Sequence, residues 1–207
     1  MRRRLGAARL YVITPDAEPD HVVRLVEAVV RGGADAIQLR QKTLPRGELL
    51  TLARRLRQVA ENQLFIVNDH VDIAMLSEAD GVHLGPDDLP IASARRVAGD
   101  RLLIGASASS VEAARTAIRD GADYLGSGPA FATPIKTEKQ VIGPEGVANV
   151  ATAAGRKVPV FAIGGIDESN IAQLREAGLH RVCVMRAVAD AADPEQATRR
   201  LRGMLAG

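Results

Sequence analysis

A chain of 207 residues with 46% hydrophobic and 25% charged residues has the balance of a globular protein rather than a disordered one. The formal charge of +2 is too small to argue for nucleic acid, and no apolar run approaches the length needed to cross a membrane. Aromatic residues make up only 2%, so a core must come from Val, Ile, Leu and Ala.

The opening MRRRLGAARLYVIT is basic but lacks an apolar h-region and a cleavage site, which argues against a signal peptide. Cys183 is the single cysteine and lies in an apolar run, so it reads as a buried structural thiol in a reducing, cytoplasmic setting. One pattern recurs: RGGADAIQLR from Arg31, SEADGVHLG from Ser77, RDGADYLGSG from Arg119 and REAGLHRVCV from Arg175. Each reads as a helix C-terminus, a small or glycine cap and a buried strand. Such repetition marks a repeated supersecondary unit.

In chain order the pattern predicts strands over 10–14, 35–40, 63–68, 80–84, 101–107, 122–127, 158–163 and 180–185. Helical patterns fall at 20–31, 46–60, 70–77, 90–98, 110–120, 143–154, 168–177 and 190–205. The strands are near-continuous apolar runs, as expected of parallel strands covered on both faces. Eight such βα units in a row predict a (β/α)8 TIM barrel forming one domain over 1–207, with a doubly wound open sheet as the rival. Arginines at 54, 55 and 57 and at 199, 200 and 202 read as solvated helix faces. The longest irregular stretch runs from Gly126 to Gly143, and a loop of that length in a compact domain is usually functional or mobile.

The stretch VPVFAIGGIDESNI, Val158 to Ile171, joins a buried strand to a helix through two glycines. Without a Cβ on Gly164 or Gly165 an anion can approach the backbone there, and the helix dipole favours it. An ordinary βα turn explains the same residues.

In a barrel the chemistry sits at the C-terminal ends of the strands. Strand two ends in Gln38, Arg40, Gln41 and Lys42, strand three in Asn68, Asp69 and His70, and strand four in His83, Asp87 and Asp88. Strand five ends at Ser107, and strand six leads to Thr133 and Lys136. Arg40, Lys42 and Lys136 supply positive charge for phosphate groups. Asp69 and Asp88 are acidic within that basic rim, where their simplest purpose is to hold Mg²⁺. Helix capping explains each aspartate as well. The four histidines form no zinc pattern, no nucleophile–base–orienter triad is visible, and the roles of His70 and His83 stay open.

Taken together these motifs resemble the thiamine-phosphate synthase family from about Tyr11 to Pro194. QLRQK resembles the family's Q-L/F-R-x-K, NDH its N-D-x, and ADGVHLGPDD its D-G-x-H-x-G-x-x-D. GADYLGSGPAFATPIK resembles G-A-D-Y-x-G-x-G-P-x-x-x-T-x-T-K, and AIGGI its G-I-G-G-I. The resemblance implies a Mg²⁺-assisted enzyme that joins a pyrimidine-methyl diphosphate to a thiazole phosphate, releasing pyrophosphate. It implies phosphorylated small molecules as partners, with no nucleic acid and no membrane, and is compatible with a homo-oligomer.

Carried over, Gln38, Arg40, Lys42, Asn68 and Lys136 hold the pyrimidine diphosphate, with Tyr11 packed near the pyrimidine. Ser107 contacts the departing diphosphate, and Asp69 and Asp88 bind Mg²⁺. Thr133, Gly165 and the backbone of Met185 and Arg186 hold the thiazole phosphate. Ser107, Lys136, Arg40 and Lys42 are the residues expected to act in catalysis. The chain departs from the pattern at Ile135, where the family has a second threonine, and at Arg186, where it has a serine. It also lacks a histidine two residues after Ser107. A thiazole tautomerase-like isomerase and a non-catalytic phosphate-ligand sensor share the barrel; Arg40, Lys42, Asp69 and Asp88 together argue against the isomerase, because isomerising a monophosphate needs no Mg²⁺ pair.

Overall fold

The computed structural model describes residues 1–133 and 140–205. Helix α1 (Arg2–Ala7) precedes β1 (Leu10–Ile13), α2 (Pro19–Arg31), β2 (Ala36–Leu39) and α3 (Arg46–Val59). The chain continues through β3 (Leu64–Asn68), α4 (Val71–Leu76), β4 (Gly81–Leu84), α5 (Ile91–Ala98) and β5 (Leu103–Ser107). It ends with α6 (Val111–Arg119), β6 (Tyr124–Ser127), α7 (Gly143–Ala154), β7 (Val160–Ile163), α8 (Ile171–Glu176), β8 (Val182–Val184), α9 (Arg186–Ala189) and α10 (Pro194–Met204). The eight strands close a parallel barrel in sequence order, with β1 pairing both β2 and β8. The expected (β/α)8 architecture is therefore present, and the open-sheet rival falls.

The sequence builds these elements locally. Helix α2 has Pro at its first position and buries Val22, Leu25, Val26 and Val29, the spacing of one helical face. Ser110 and Asp193 cap α6 and α10 by accepting from Ala113 N and Gln196 N at 3.1 and 3.0 Å. Along each strand alternate side chains face opposite ways. Leu10, Val12, Ile37, Phe65 and Val67 face the helices, whereas Tyr11, Ile13, Ala36, Leu64, Ile66, Leu103, Tyr124, Phe161 and Cys183 fill the barrel. Three of the five aromatics thus lie inside the barrel. Cys183 is buried among them and burial pushes its thiol well above the ordinary range, so the structural reading of this residue holds.

Two helices were not expected. Helix α1 closes the N-terminal end of the barrel with Leu5 and Ala8, and the basic opening pins it down. Arg2 pairs with Asp123 at 3.2 Å, Arg4 with Asp80 at 3.6 Å, and Arg181 donates to the Gly6 carbonyl at 2.7 Å. The short α9 separates β8 from α10, and the helix expected over 190–205 is α10, which begins only at Pro194 after a bend.

The aspartate of the recurring pattern has a structural task. Asp35 accepts from Arg9 N and Leu10 N, Asp80 from Phe65 N, and Asp123 from Ile104 N, all at 2.8–2.9 Å. Each therefore ties the start of the preceding strand to its own, satisfying strand-end donors. Arg202, Arg57 and Arg95 pair with these three carboxylates. The reading of all six clustered arginines as solvated faces is thus corrected for Arg57 and Arg202, which reach across to partly buried acids. Arg55 and Arg199 pair at the surface as expected, with Asp20 and Glu195.

Candidate active site

The parallel barrel sends every strand's C-terminus to one end, and the predicted polar residues gather there. Asp16, in the loop after β1, accepts from Lys42 N at 3.2 Å and Thr43 Oγ1 at 3.0 Å. Thr14 Oγ1 accepts from Arg40 N at 3.0 Å. The first loop thereby holds the second in place, with Arg40 half-buried and Lys42 exposed at its rim. Lys42 Nζ then reaches Asp69 Oδ2 at 3.2 Å.

Asp69 stands at φ 64°, a left-handed backbone conformation unusual for a residue with a side chain. Its N–H donates to the His83 carbonyl at 2.9 Å, which fixes the bend. Asp88 lies beside it and accepts from Gly85 N at 2.7 Å. Burial, then the neighbouring Asp88, raise the Asp69 carboxyl above the ordinary carboxylate range, and Lys42 opposes them. Neither aspartate caps a helix: His70 precedes α4 without a side-chain cap bond, and Pro90 precedes α5. Two carboxylates set against one another at a basic rim are repulsive unless a cation or proton joins them. Their oxygen donors suit Mg²⁺, which takes one or two carboxylates and completes its shell with water and phosphate. Among the described residues no group of three or more His, Cys, Asp and Glu converges, so a closed protein-only metal cage is not formed there.

Below the rim the barrel interior holds a continuous polar thread. Gln38 Nε2 donates to Tyr11 Oη at 2.8 Å, and Tyr11 Oη lies 3.1 Å from Tyr124 Oη. Tyr124 Oη is 3.3 Å from His83 Nδ1, and His83 Nε2 is 3.1 Å from Ser107 Oγ. Strand register explains the meeting: Asn68 pairs with His83, His83 with Gly105, Gly105 with Tyr124, and Ser107 with Gly126. A Cβ on Gly105 would stand 2.1 Å from Tyr124 Cζ, so only glycine leaves room for that ring. His70 is separate from this group, on the rim beside Arg46 at 3.0 Å.

Across the mouth, Gly164 and Gly165 turn at φ 100° and 62° after β7. A Cβ on Gly164 would meet Pro129 at 2.6 Å, and one on Gly165 the Ala132 carbonyl at 2.4 Å. Both glycines are therefore required by the loop after β6, which packs on the turn, whatever the turn binds. Helix α8 starts at Ile171 rather than directly after the glycines. Between them Asp167 Oδ1 accepts from Ser169 N at 2.8 Å and Asn170 Nδ2 donates to the Gly165 carbonyl at 2.7 Å. Met185 and Arg186 open the short α9 after β8, the arrangement in which barrels commonly hold phosphate. The Arg186 side chain pairs with Asp190 at 2.8 Å. Thr133 lies at the edge of the described chain, while Ile135 and Lys136 lie outside the described residues.

A groove of about 1050 Å³ opens at the other end of the barrel, bordered by Arg2, Arg156, Lys157, His180 and Arg181. Arg2 there pairs with Asp123, and Arg181 donates to the Gly6 carbonyl of α1. The chemistry-bearing residues lie at the opposite end.

Sequence reasoning missed Tyr124, Thr14 and Asp16 as parts of the site and left His83 without a role. A signal for Tyr124 existed, since the chain has only two tyrosines and Tyr11 was already placed at the site.

The chain matches the family model described as thiamine monophosphate synthase over residues 10–188. It is 46% identical over 200 residues to a thiamine-phosphate synthase of Gloeobacter violaceus, covering 96% of this chain but 58% of that protein. To the thiamine-phosphate synthase of Pyrococcus furiosus it is 42% identical, covering 94% of this chain and 93% of that one. The chain spans 56–58% of the length of the Gloeobacter relative and of one from Thermosynechococcus vestitus. A solved thiamine phosphate pyrophosphorylase from Pyrococcus furiosus superposes with a TM-score of 0.87 at 40% identity, covering 99% of this chain and 96% of that one. With barrel, rim residues and relatives in agreement over nearly its whole length, this chain belongs to the thiamine monophosphate synthase family.

Proposed function

We propose that this chain is a transferase that joins a pyrimidine-methyl diphosphate to a thiazole phosphate, giving thiamine phosphate and pyrophosphate. The observation that carries the reading is the rim cluster of Lys42, Asp69 and Asp88 in a chain of this family. Breaking the benzylic-type C–O bond puts negative charge on the diphosphate and positive charge on the pyrimidine methylene. Arg40 and Lys42 face the first charge, and each is worth more as the charge grows than in the ground state. Lys136 acts with them in this reading. Asp69 and Asp88 would hold a magnesium ion, which when bound supplies a Lewis acid for the diphosphate oxygens.

Gln38, Asn68 and Tyr11 orient the pyrimidine diphosphate, and Ser107 donates to the departing group. Thr133, Gly165 and the backbone of Met185 and Arg186 hold the thiazole phosphate, with Ile135 alongside. The thiazole nitrogen already has a free lone pair, so it needs positioning and no base. In this reading the hydrogen-bonded Ser107 and His83 serve the leaving group and no covalent intermediate is needed.

Pyrophosphate release, measured with both substrates and Mg²⁺, tests the proposal. Release that needs both substrates and stops with chelator is the expected result. Ligand binding without release would make the chain a sensor, and turnover of the thiazole alone would make it an isomerase.

A further inference from the structure

The polar thread inside the barrel has a direction, and the direction has a consequence at Ser107. Each tyrosine hydroxyl carries one hydrogen, and a neutral imidazole carries one on either Nδ1 or Nε2. Gln38 presents its amide NH₂ to Tyr11 Oη, and a nitrogen of that kind cannot accept. The Tyr11 hydrogen therefore passes to Tyr124 Oη, and the Tyr124 hydrogen passes to His83 Nδ1. An accepting Nδ1 leaves the ring hydrogen on Nε2, aimed at Ser107 Oγ. Ser107 then accepts from the ring, and its own hydrogen must point elsewhere.

We propose that Gln38, Tyr11, Tyr124 and His83 form a one-way hydrogen-bond chain that turns the Ser107 hydroxyl hydrogen out into the reaction space, with Tyr124 as the positioning residue. The chain spans four strands; Gln38, Tyr11 and Tyr124 are buried in the same interior as Ile66, Leu103 and Phe161, while His83 and Ser107 are part-buried towards the mouth. In the buried part a hydrogen bond is strengthened and a misdirected one is costly. Both phenols are held well above their ordinary range, mainly by burial, so they stay neutral and work through hydrogen bonds rather than charge. Gly105 makes the room for Tyr124, and a Cβ on Gly126 would press on His83 Cε1 at 3.3 Å. The alternative is equally definite. With the Gln38 amide turned over, its carbonyl would accept from Tyr11 and every hydrogen would reverse. His83 would then hold Nδ1–H, and Ser107 would spend its hydrogen on the ring.

The direction of the thread stands on geometry alone; its effect on rate rests on the proposed reaction, in which Ser107 donates to the leaving diphosphate. Long-range proton–nitrogen spectra of the full chain with ¹⁵N-labelled histidine, taken at mildly alkaline pH, read the His83 tautomer directly. His83→Asn identifies the signal among the four histidines. The expected result is Nε2–H in the wild type and the appearance of Nδ1–H in Tyr124→Phe. An Nδ1–H ring in the wild type overturns the proposal, whether or not the protein releases pyrophosphate.

The kinetic arm asks whether Tyr124 acts through Ser107. Tyr124→Phe should lower kcat about tenfold, less than the roughly hundredfold expected for losing such a donor outright, with both KM values nearly unchanged. In a Ser107→Ala background the same change should cost nothing further, because the group being positioned is gone. An equal loss in both backgrounds, or a rise in KM alone, overturns the positioning role.

Discussion

Asp123→Ala isolates the structural ring at the N-terminal end of the barrel from the chemistry at the other end. Asp123 is 11% exposed and its Oδ2 accepts from Ile104 N at 2.9 Å and Arg95 Nη2 at 2.5 Å, while Oδ1 pairs with Arg2 at 3.2 Å. Arg95 keeps the carbonyls of Gly99, Leu102 and Gly121 in the variant, so it is not left without partners. The Ile104 N–H at the start of β5 loses its side-chain acceptor, which typically costs about 1–3 kcal/mol when buried. Breaking the largely buried ion pair adds to that, and together the two make a loss of about 3–4 kcal/mol. At about 2–4 °C per kcal/mol for a domain of this size, the melting midpoint should fall by roughly 6–16 °C. Asp100→Ala is the control: Asp100 is 94% exposed and pairs with the exposed Arg2 at 3.5 Å, so its loss should be within about 0.5 kcal/mol. Thermal unfolding followed by circular dichroism measures both, and activity per folded molecule should be unchanged in each. Equal midpoints for the two variants would refute the argument that the repeated aspartate ties the strands together.

At the rim, Asp69→Asn should abolish pyrophosphate release yet stabilise the protein in chelator, by no more than about 1 kcal/mol, because a strained, crowded carboxylate is replaced by a residue at ease with positive φ. The raised Asp69 carboxyl means that the folded state takes up this proton more readily than the unfolded state does. The wild type should therefore recover stability as pH falls from the raised value towards the ordinary carboxylate range, and the variant's advantage in midpoint should shrink over that window. An advantage that grows on acidification would contradict this. Lys42→Ala should lower kcat by about tenfold to a hundredfold while changing stability by less than about 1 kcal/mol, since its pair with Asp69 is half exposed. Gly165→Ala adds a Cβ that meets the Ala132 carbonyl at 2.4 Å, and its φ of 62° disfavours any side chain. It should cost about 1–3 kcal/mol and raise KM for the thiazole phosphate, leaving KM for the pyrimidine substrate unchanged. Initial rates against each substrate separate these outcomes.

Local pattern alone determined much of this protein. Eight apolar runs with capped helices between them leave a chain few ways to bury both faces of its strands, and a closed parallel barrel is one of them. Once the barrel is granted, Gln38, Asp69, Asp88 and Ser107 must lie at one end, because strand polarity and sequence position leave no choice. Tertiary structure decided what those residues touch. The period-two alternation that points Tyr11, Gln38, His83, Ser107 and Tyr124 into one narrow interior was readable strand by strand, but their linkage depends on the register between strands, which no local signal records. The same holds for Arg57 and Arg202: helix periodicity placed them on outer faces, and only the packing of helices on the barrel brought partly buried aspartates within their reach. For Gly164 and Gly165 the sequence signal was real but its first cause differed, because the loop after β6 lies so close that a Cβ cannot fit.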